Sequence, residues 1–171
     1  VHKIPLECDH NMDKSRLSLN DDTDYGLCFA CGPRNAAGLH LMFQQVGDTV
    51  TTTFRGREEH QGFPGHVHGG VISALLDEVM SRVPLLDGRW AMTARMDLRF
   101  RRPVMVGEEV TAVAKRVREL RGFVEANGRV LLPNGDIAVD ATGTFKYLGD
   151  DTLRGMSAEY PRLAEEWMRG S

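Results

Sequence analysis

A single acidic residue interrupts the most apolar stretch of the chain. Between positions 71 and 80, apolar side chains point in nearly every helical direction, which predicts a buried helix. Small or polar residues recur along one face of this helix, at Gly70, Ser73, Asp77 and Ser81. A buried carboxylate costs several kcal/mol unless it is paired or hydrogen-bonded. Asp77 is therefore either part of a structural network or a catalytic group.

The start of the same helix has the composition of an anion site. The helix is predicted to begin at His68-Gly69-Gly70, and two glycines there allow a ligand to approach the backbone closely. Unpaired N–H groups and the positive end of the helix dipole would stabilise a developing oxyanion. The alternative is a tight turn into the helix, in which His68 packs or caps.

The spacing of these two groups has a geometric consequence. Gly69 and Asp77 are eight residues apart, which is about 12 Å along a helix. Attack on a carbonyl and stabilisation of its oxyanion both require groups within about 3 to 4 Å of it. One chain cannot supply both groups, so an enzymatic interpretation predicts an obligate dimer with antiparallel helices and two equivalent sites.

The elements that position these residues follow from local patterns. The predicted order is β-β-α-β-β-β-β, with a hairpin at 39–54 around Gly47-Asp48, a helix at 66–83, and strands near 92–101, 108–118, 122–132 and 136–147. In the strand near 92–101, Thr93 falls on the polar face of a strict alternation. One antiparallel sheet of about six strands wrapped around the helix gives an α+β domain.

The remaining segments are assigned to extensions of this domain. Residues 1–37 are predicted to be an N-terminal extension, 38–148 the domain itself, and 149–171 a polar C-terminal segment with a short amphipathic helix near 161–169.

Composition limits the class of protein. The chain has 171 residues, of which 42% are apolar and 26% charged, and this fits one compact domain. A net charge of −3 argues against nucleic acid or an anionic membrane as a partner. Because no signal peptide or membrane span is evident, we expect a cytoplasmic protein, and its three cysteines are expected to be reduced.

Four stretches carry a resemblance to a known family. HGGVISALLDEVM, preceded by EEHQGFPGHV and followed by TARMDLRFRRPVMVGEEV, resembles the hotdog-fold acyl-CoA thioesterases of the phenylacetate-pathway type. CFACGPRNAAGLHL resembles the N-terminal motif of one branch of them. The resemblance covers roughly residues 28–147 and implies a hotdog fold, with one central helix wrapped by the sheet.

The resemblance also implies roles for individual residues. Asp77 would act as general base for water or as nucleophile toward the thioester, and the amide of Gly69 would be the oxyanion donor. His68 would shape that turn, Thr93 would position water near the acid, and Gln61 matches a polar position just before the motif.

A thioester is an activated acyl group, so this set needs neither a catalytic metal nor another cofactor. Gly70, Arg101 and Arg102 are candidates for contact with the CoA moiety of the substrate, since arginine binds phosphate in a bidentate manner. The alternative for each arginine is a solvated strand face paired with nearby acids. The expected protein is a thioester hydrolase, a dimer or dimer of dimers, acting on a small, medium-chain or aromatic acyl-CoA.

Alternatives to this interpretation stay open. Hotdog hydratases and dehydratases also combine a histidine before the helix with an acid on it, and a non-catalytic acyl-CoA-binding protein would use the same fold. Two metal sets are conceivable from the residue types. One is a zinc set of Cys8, His10, Cys28 and Cys31, and the other joins His60, His66 and His68 to Asp77.

Overall fold

The computed structural model describes residues 24–159. The six strands are β1 (Gln44–Val46), β2 (Thr49–Arg55), β3 (Ala91–Phe100), β4 (Glu109–Leu120), β5 (Phe123–Leu131) and β6 (Ile137–Tyr147), and the two helices are α1 (Gly69–Ser81) and α2 (Asp150–Glu159). The strands form one antiparallel sheet in the order β1-β2-β4-β5-β6-β3. Helix α1 packs against this sheet, so the predicted fold class is confirmed.

Small residues in the sheet make room for helix α1. The helix buries five large side chains, Ile72, Leu75, Leu76, Val79 and Met80. The buried positions of β4, β5 and β6 beneath it include Ala112, Ala114, Ala126, Gly128, Ala141 and Gly143. Cross-strand pairing places Ala114 opposite Gly128 and Gly128 opposite Ala141. The helix therefore lies in a trough of alanine and glycine.

Some of the predicted boundaries are wrong. Strand β1 has only three residues, because Leu39, Leu41 and Phe43 insert into the core from irregular backbone instead of extending the hairpin. Helix α2 forms at the start of the C-terminal segment, ahead of the helix predicted near 161–169, and two aspartates in its first turn favour a helix N-terminus. The helix predicted near 161–169 lies outside the described residues.

A β-bulge changes the face on which Thr93 lies. Thr93 pairs with Phe145 and Arg95 pairs with Thr144, so Ala94 is an extra residue in β3. Directly opposed residues share a face of the sheet, and Phe145 is fully buried on the inner face. The expectation that Thr93 lies on the polar face is therefore wrong, because it assumed strict alternation through the bulge.

Strand β3 is a ten-residue edge strand with both faces largely uncovered. Met92 is 60% exposed on the outer face and Phe100 is 53% exposed on the inner face. Only β6 pairs with it among residues 24–159, so its other edge carries free backbone groups.

No helix within residues 24–159 is long and apolar enough to cross a membrane.

Gly128→Ala tests the close approach of helix and sheet. A Cβ at Gly128 would lie 2.9 Å from Met80 Cγ and 3.1 Å from Leu76 Cδ2. We expect a loss of about 1 to 3 kcal/mol in the free energy of unfolding, because the core must shift. The measurement is urea unfolding. Gly149→Ala is the matched control, since a Cβ there meets nothing within 4 Å. Equal midpoints for the two variants would contradict the tight contact.

Candidate active site

Thr93 and Asp77 form the polar centre of the inner face. The Thr93 hydroxyl donates a 2.6 Å hydrogen bond to Asp77 Oδ1, and Asp77 is half-buried. Burial raises the pKa of Asp77, the hydrogen bond from Thr93 opposes the shift, and the charge of neighbouring Glu78 adds to it. The pair thus holds a carboxylate in a fixed orientation at mid-helix.

His68 caps helix α1 and leaves one amide free. His68 precedes the first helical residue and its Nδ1 accepts a 2.9 Å hydrogen bond from the Gly70 amide. The amides of Val71 and Ile72 donate to the His68 carbonyl. Of the first four amides of the helix, that of Gly69 alone has no acceptor within residues 24–159. The oxyanion donor predicted from the sequence is therefore the amide that the cap leaves available, whereas the Gly70 amide is already engaged.

The loop before the helix is fixed by Gln61. Its side-chain Oε1 accepts a 2.7 Å hydrogen bond from the Gly65 amide, and the Gly62 amide donates to the His66 carbonyl. A Cβ at Gly62 would lie 3.0 Å from His68 Cδ2, so glycine lets the loop pack closely on the capping ring. Gln61 therefore organises the loop, and its side-chain Nε2 has no hydrogen bond within the described part of the chain.

An open cleft of about 480 Å³ lies at the start of α1. It is lined by Phe63, His66, Val67, Gly69, Ile72, Phe100, Arg102, Pro103, Val104 and Val139. Gly69 and an exposed aromatic ring, Phe100, are neighbours in it, and Asp77 is not among the lining residues. The helix start and the carboxylate of one chain thus belong to separate places, as the spacing along the helix predicts.

The two predicted phosphate-binding arginines differ in their surroundings. Arg101 forms an ion pair with Asp140, and Arg129 lies 3.3 Å from the same carboxylate. Arg102 lies at the cleft, is mostly exposed, and is 3.4 Å from Asp136. Of the two, Arg102 is the one placed to meet an anionic ligand that enters the cleft.

The histidines do not form a metal set with Asp77. His60 is buried against Arg57, whose backbone N–H donates to its Nδ1 at 3.2 Å, and desolvation and the arginine charge lower its pKa. His66 Nδ1 is bonded to the Pro64 carbonyl and His68 Nδ1 to the Gly70 amide. Each ring has a separate structural role, and no cluster of metal-ligand atoms in residues 24–159 includes any of them.

A second polar cluster lies on another side of α1. Glu78 and Arg82 lie four residues apart on the helix and form an ion pair, and Arg82 is only 4% exposed. Arg82 also donates to Cys31 Sγ at 3.0 Å. The hydrogen bond from Cys31 lowers the pKa of Cys28 to about 6, while that bond and burial raise the pKa of Cys31.

Sequence reasoning missed two features of these sites. The first is the bulge at Ala94. The available signal was Thr93, which must face the helix if its hydroxyl is to reach Asp77. The second is the contact of Cys28 and Cys31 with Glu78, since these residues are far apart in the chain. Of the predicted zinc set, Cys8 and His10 lie outside the described residues.

Comparison with known proteins agrees with the fold. Residues 64–131 match the family model of the thioesterase superfamily. The mouse acyl-coenzyme A thioesterase THEM4 is 27% identical over 82 residues, which is 48% of this chain and 35% of the mouse protein.

Two solved structures share the architecture. The thioesterase superfamily protein RHA08564 is 31% identical, with a TM-score of 0.65 over 68% of this chain and 61% of that one. The Escherichia coli PaaI protein, from the phenylacetic acid degradation operon, has a TM-score of 0.61 at 16% identity, over 65% of this chain and 81% of that one. The chain thus spans about a third of the mouse relative and about three fifths of RHA08564. Residues 64–131 match the thioesterase superfamily, and the chain shares the hotdog fold of these solved structures.

Proposed function

We propose that this protein is an acyl-CoA thioesterase, which hydrolyses a thioester to the free acid and CoA. The observation that carries the proposal is the combination of a hydrogen-bonded carboxylate, Asp77, with a helix start whose Gly69 amide has no protein acceptor among the described residues. The thioesterase relatives, including one named as an acyl-coenzyme A thioesterase, support the same reaction.

The chemistry needs few groups. Asp77 takes a proton from water, the hydroxide attacks the thioester carbonyl, and the Gly69 amide stabilises the oxyanion until CoA leaves as a thiol. Direct attack by Asp77 would instead form an anhydride that water then opens. Thr93 holds the carboxylate through Oδ1, which leaves Oδ2 for the water or the carbonyl carbon.

A single-turnover reaction in ¹⁸O-labelled water distinguishes the two routes. Only the anhydride route can place the label in the carboxylate of Asp77.

We propose that the cleft receives a small, medium-chain or aromatic acyl group. Its wall includes Phe63 and Phe100, which are both exposed in the single chain. Arg102 stands at the same cleft as a candidate contact for a CoA phosphate. A panel of acyl-CoA substrates of different length identifies the acyl group, with free-thiol release as the readout.

Each complete site is proposed to use two chains. Gly69 and Asp77 of one helix are about 12 Å apart, too far to act on one carbonyl. Strand β3 offers an uncovered ten-residue edge and an exposed apolar surface, on which a second copy can pair. A two-fold dimer would set the Gly69 amide of one chain against the Asp77 of the other.

Substitution of Asp77 tests the carboxylate. Asp77→Asn is expected to lower kcat by about 10²- to 10⁴-fold, because the amide cannot accept the proton of water. Thr93→Val should lose about tenfold from one hydrogen bond to a charged group, and Thr93→Ser should retain most activity. Asp48→Asn, in the exposed hairpin turn, is the control. A fully active Asp77→Asn variant would remove Asp77 from the mechanism, whereas a wild type that binds acyl-CoA without cleaving it would indicate a binding protein.

Gly69→Pro removes the proposed oxyanion donor. Gly69 is the first helical residue, where proline is well tolerated, and His68 already has the extended backbone that precedes proline (φ −62°, ψ 138°). We expect kcat to fall by about 10²- to 10³-fold with little change in thermal stability. Gly69→Ala keeps the N–H, and its Cβ would meet Phe100 at an ordinary 3.6 Å, so it should remain active. Equal activity of the two variants would rule out the Gly69 amide as the donor.

Hybrid dimers test whether the site spans two chains. Asp77→Asn and Gly69→Pro chains with different affinity tags are coexpressed and the hybrid is isolated through both tags. One of its two sites then combines an intact Gly69 with an intact Asp77, so about half of wild-type activity is expected from two inactive parents. A site within one chain predicts no activity, since every chain carries one lesion.

A further inference from the structure

The proposed steps of thioester hydrolysis do not use the cluster of Cys28, Cys31 and Glu78. Their two sulfur atoms and a carboxylate oxygen all lie within 4.8 Å of one another, and no other such group of three or more exists within residues 24–159. We propose that these three side chains bind a thiophilic divalent cation, zinc, which ties the segment before β1 to helix α1. Two thiolates with one carboxylate form a donor set that zinc accepts and that calcium and magnesium do not prefer.

The two cysteines lie on a tight turn. The Gly32 amide donates to the Cys28 carbonyl at 2.9 Å, which closes the turn around Cys31. A Cβ at Gly32 would lie 2.4 Å from the Cys28 nitrogen, so this turn requires glycine. Two cysteines three positions apart on such a turn present both sulfurs to one ion.

Arg82 contacts two of the three proposed ligands. Its Nη2 lies 3.0 Å from Cys31 Sγ, its Nε donates to Glu78 Oε1 at 3.1 Å, and its guanidinium stacks 4.8 Å from the centre of the Phe43 ring. Groups that hydrogen-bond to metal ligands fix their orientation and strengthen binding. A single side chain thus fixes one sulfur and the carboxylate relative to each other.

The charge balance of the cluster also fits a dication. Arg82 is buried, and its Nη1 has no acceptor within the described part of the chain. Two thiolates and Glu78 carry three negative charges, which Arg82 and a divalent cation together neutralise. Burial of a neutral set avoids the desolvation cost of an uncompensated charge. The fourth position would be taken by water or by another ligand.

Cobalt substitution of the full-length protein tests the site. After removal of metal with a chelator under reducing conditions, Co²⁺ is added, and thiolate-to-cobalt charge transfer is expected at a ratio of about one ion per chain. Zn²⁺ should bleach the signal. The Cys28→Ser/Cys31→Ser variant should lose the band and weaken zinc binding by at least about 100-fold. A spectrum without charge transfer, or zinc affinity unchanged in the double variant, would overturn the proposal.

A second set of variants isolates the role of Glu78. The single variant Glu78→Gln leaves the buried charge of Arg82 without its partner. The double variant Glu78→Gln/Arg82→Met removes that charge as well, so the two variants are compared. Both are expected to bind zinc about tenfold or more weakly, with folding checked by circular dichroism. Glu109→Gln, an exposed acid, is the matched control. Cys8→Ser is measured alongside these variants. If Cys8→Ser loses zinc binding while both Glu78 variants keep full zinc binding, the assignment of Glu78 as a ligand is overturned.

Discussion

The close packing of helix α1 on the sheet is the constraint on which the rest of the structure depends. A helix that is apolar in nearly every direction is stable only when it is enclosed, and the trough of alanine and glycine in β4, β5 and β6 allows that enclosure. Met80 fills the space over Gly128 and Gly143, where larger residues would push the helix away. Because the helix cannot slide or turn in this trough, its first amide and its mid-helix carboxylate are fixed with respect to the sheet.

The site then arises from two local departures from regular structure. The bulge at Ala94 turns Thr93 inward, so that its hydroxyl meets the carboxylate that the trough has fixed in position. At the helix start, His68 uses the second amide of the helix for its cap and leaves the first one for a ligand. Neither feature adds a new element to the fold. Each changes the hydrogen bonding of one polar group in the candidate site.

The sequence predicts the order of elements along the chain, the central helix and the position of Asp77 on that helix, because these depend on periodicity, which is local. Alternation along β3 fails at Thr93 because one unpaired residue reverses the faces, and this insertion is visible only in the register with β6. The ion pair of Glu78 and Arg82 follows from helical spacing, whereas its contact with Cys31 depends on how a distant segment packs. Helix α2 was missed because Gly155 and a polar composition argue against a helix, although aspartates begin it.

The charged outer face of β3 affects the tendency of the newly synthesised chain to aggregate. A long strand with a free backbone edge is a template for aggregation, since any extended segment can add to it. On this edge, Arg95 and Asp97 pair with each other at 2.8 Å, and both side chains stay exposed. Hydrated charges of this kind penalise docking of an apolar segment from another chain. The exposed pair therefore protects the free edge of β3 against the addition of apolar strands.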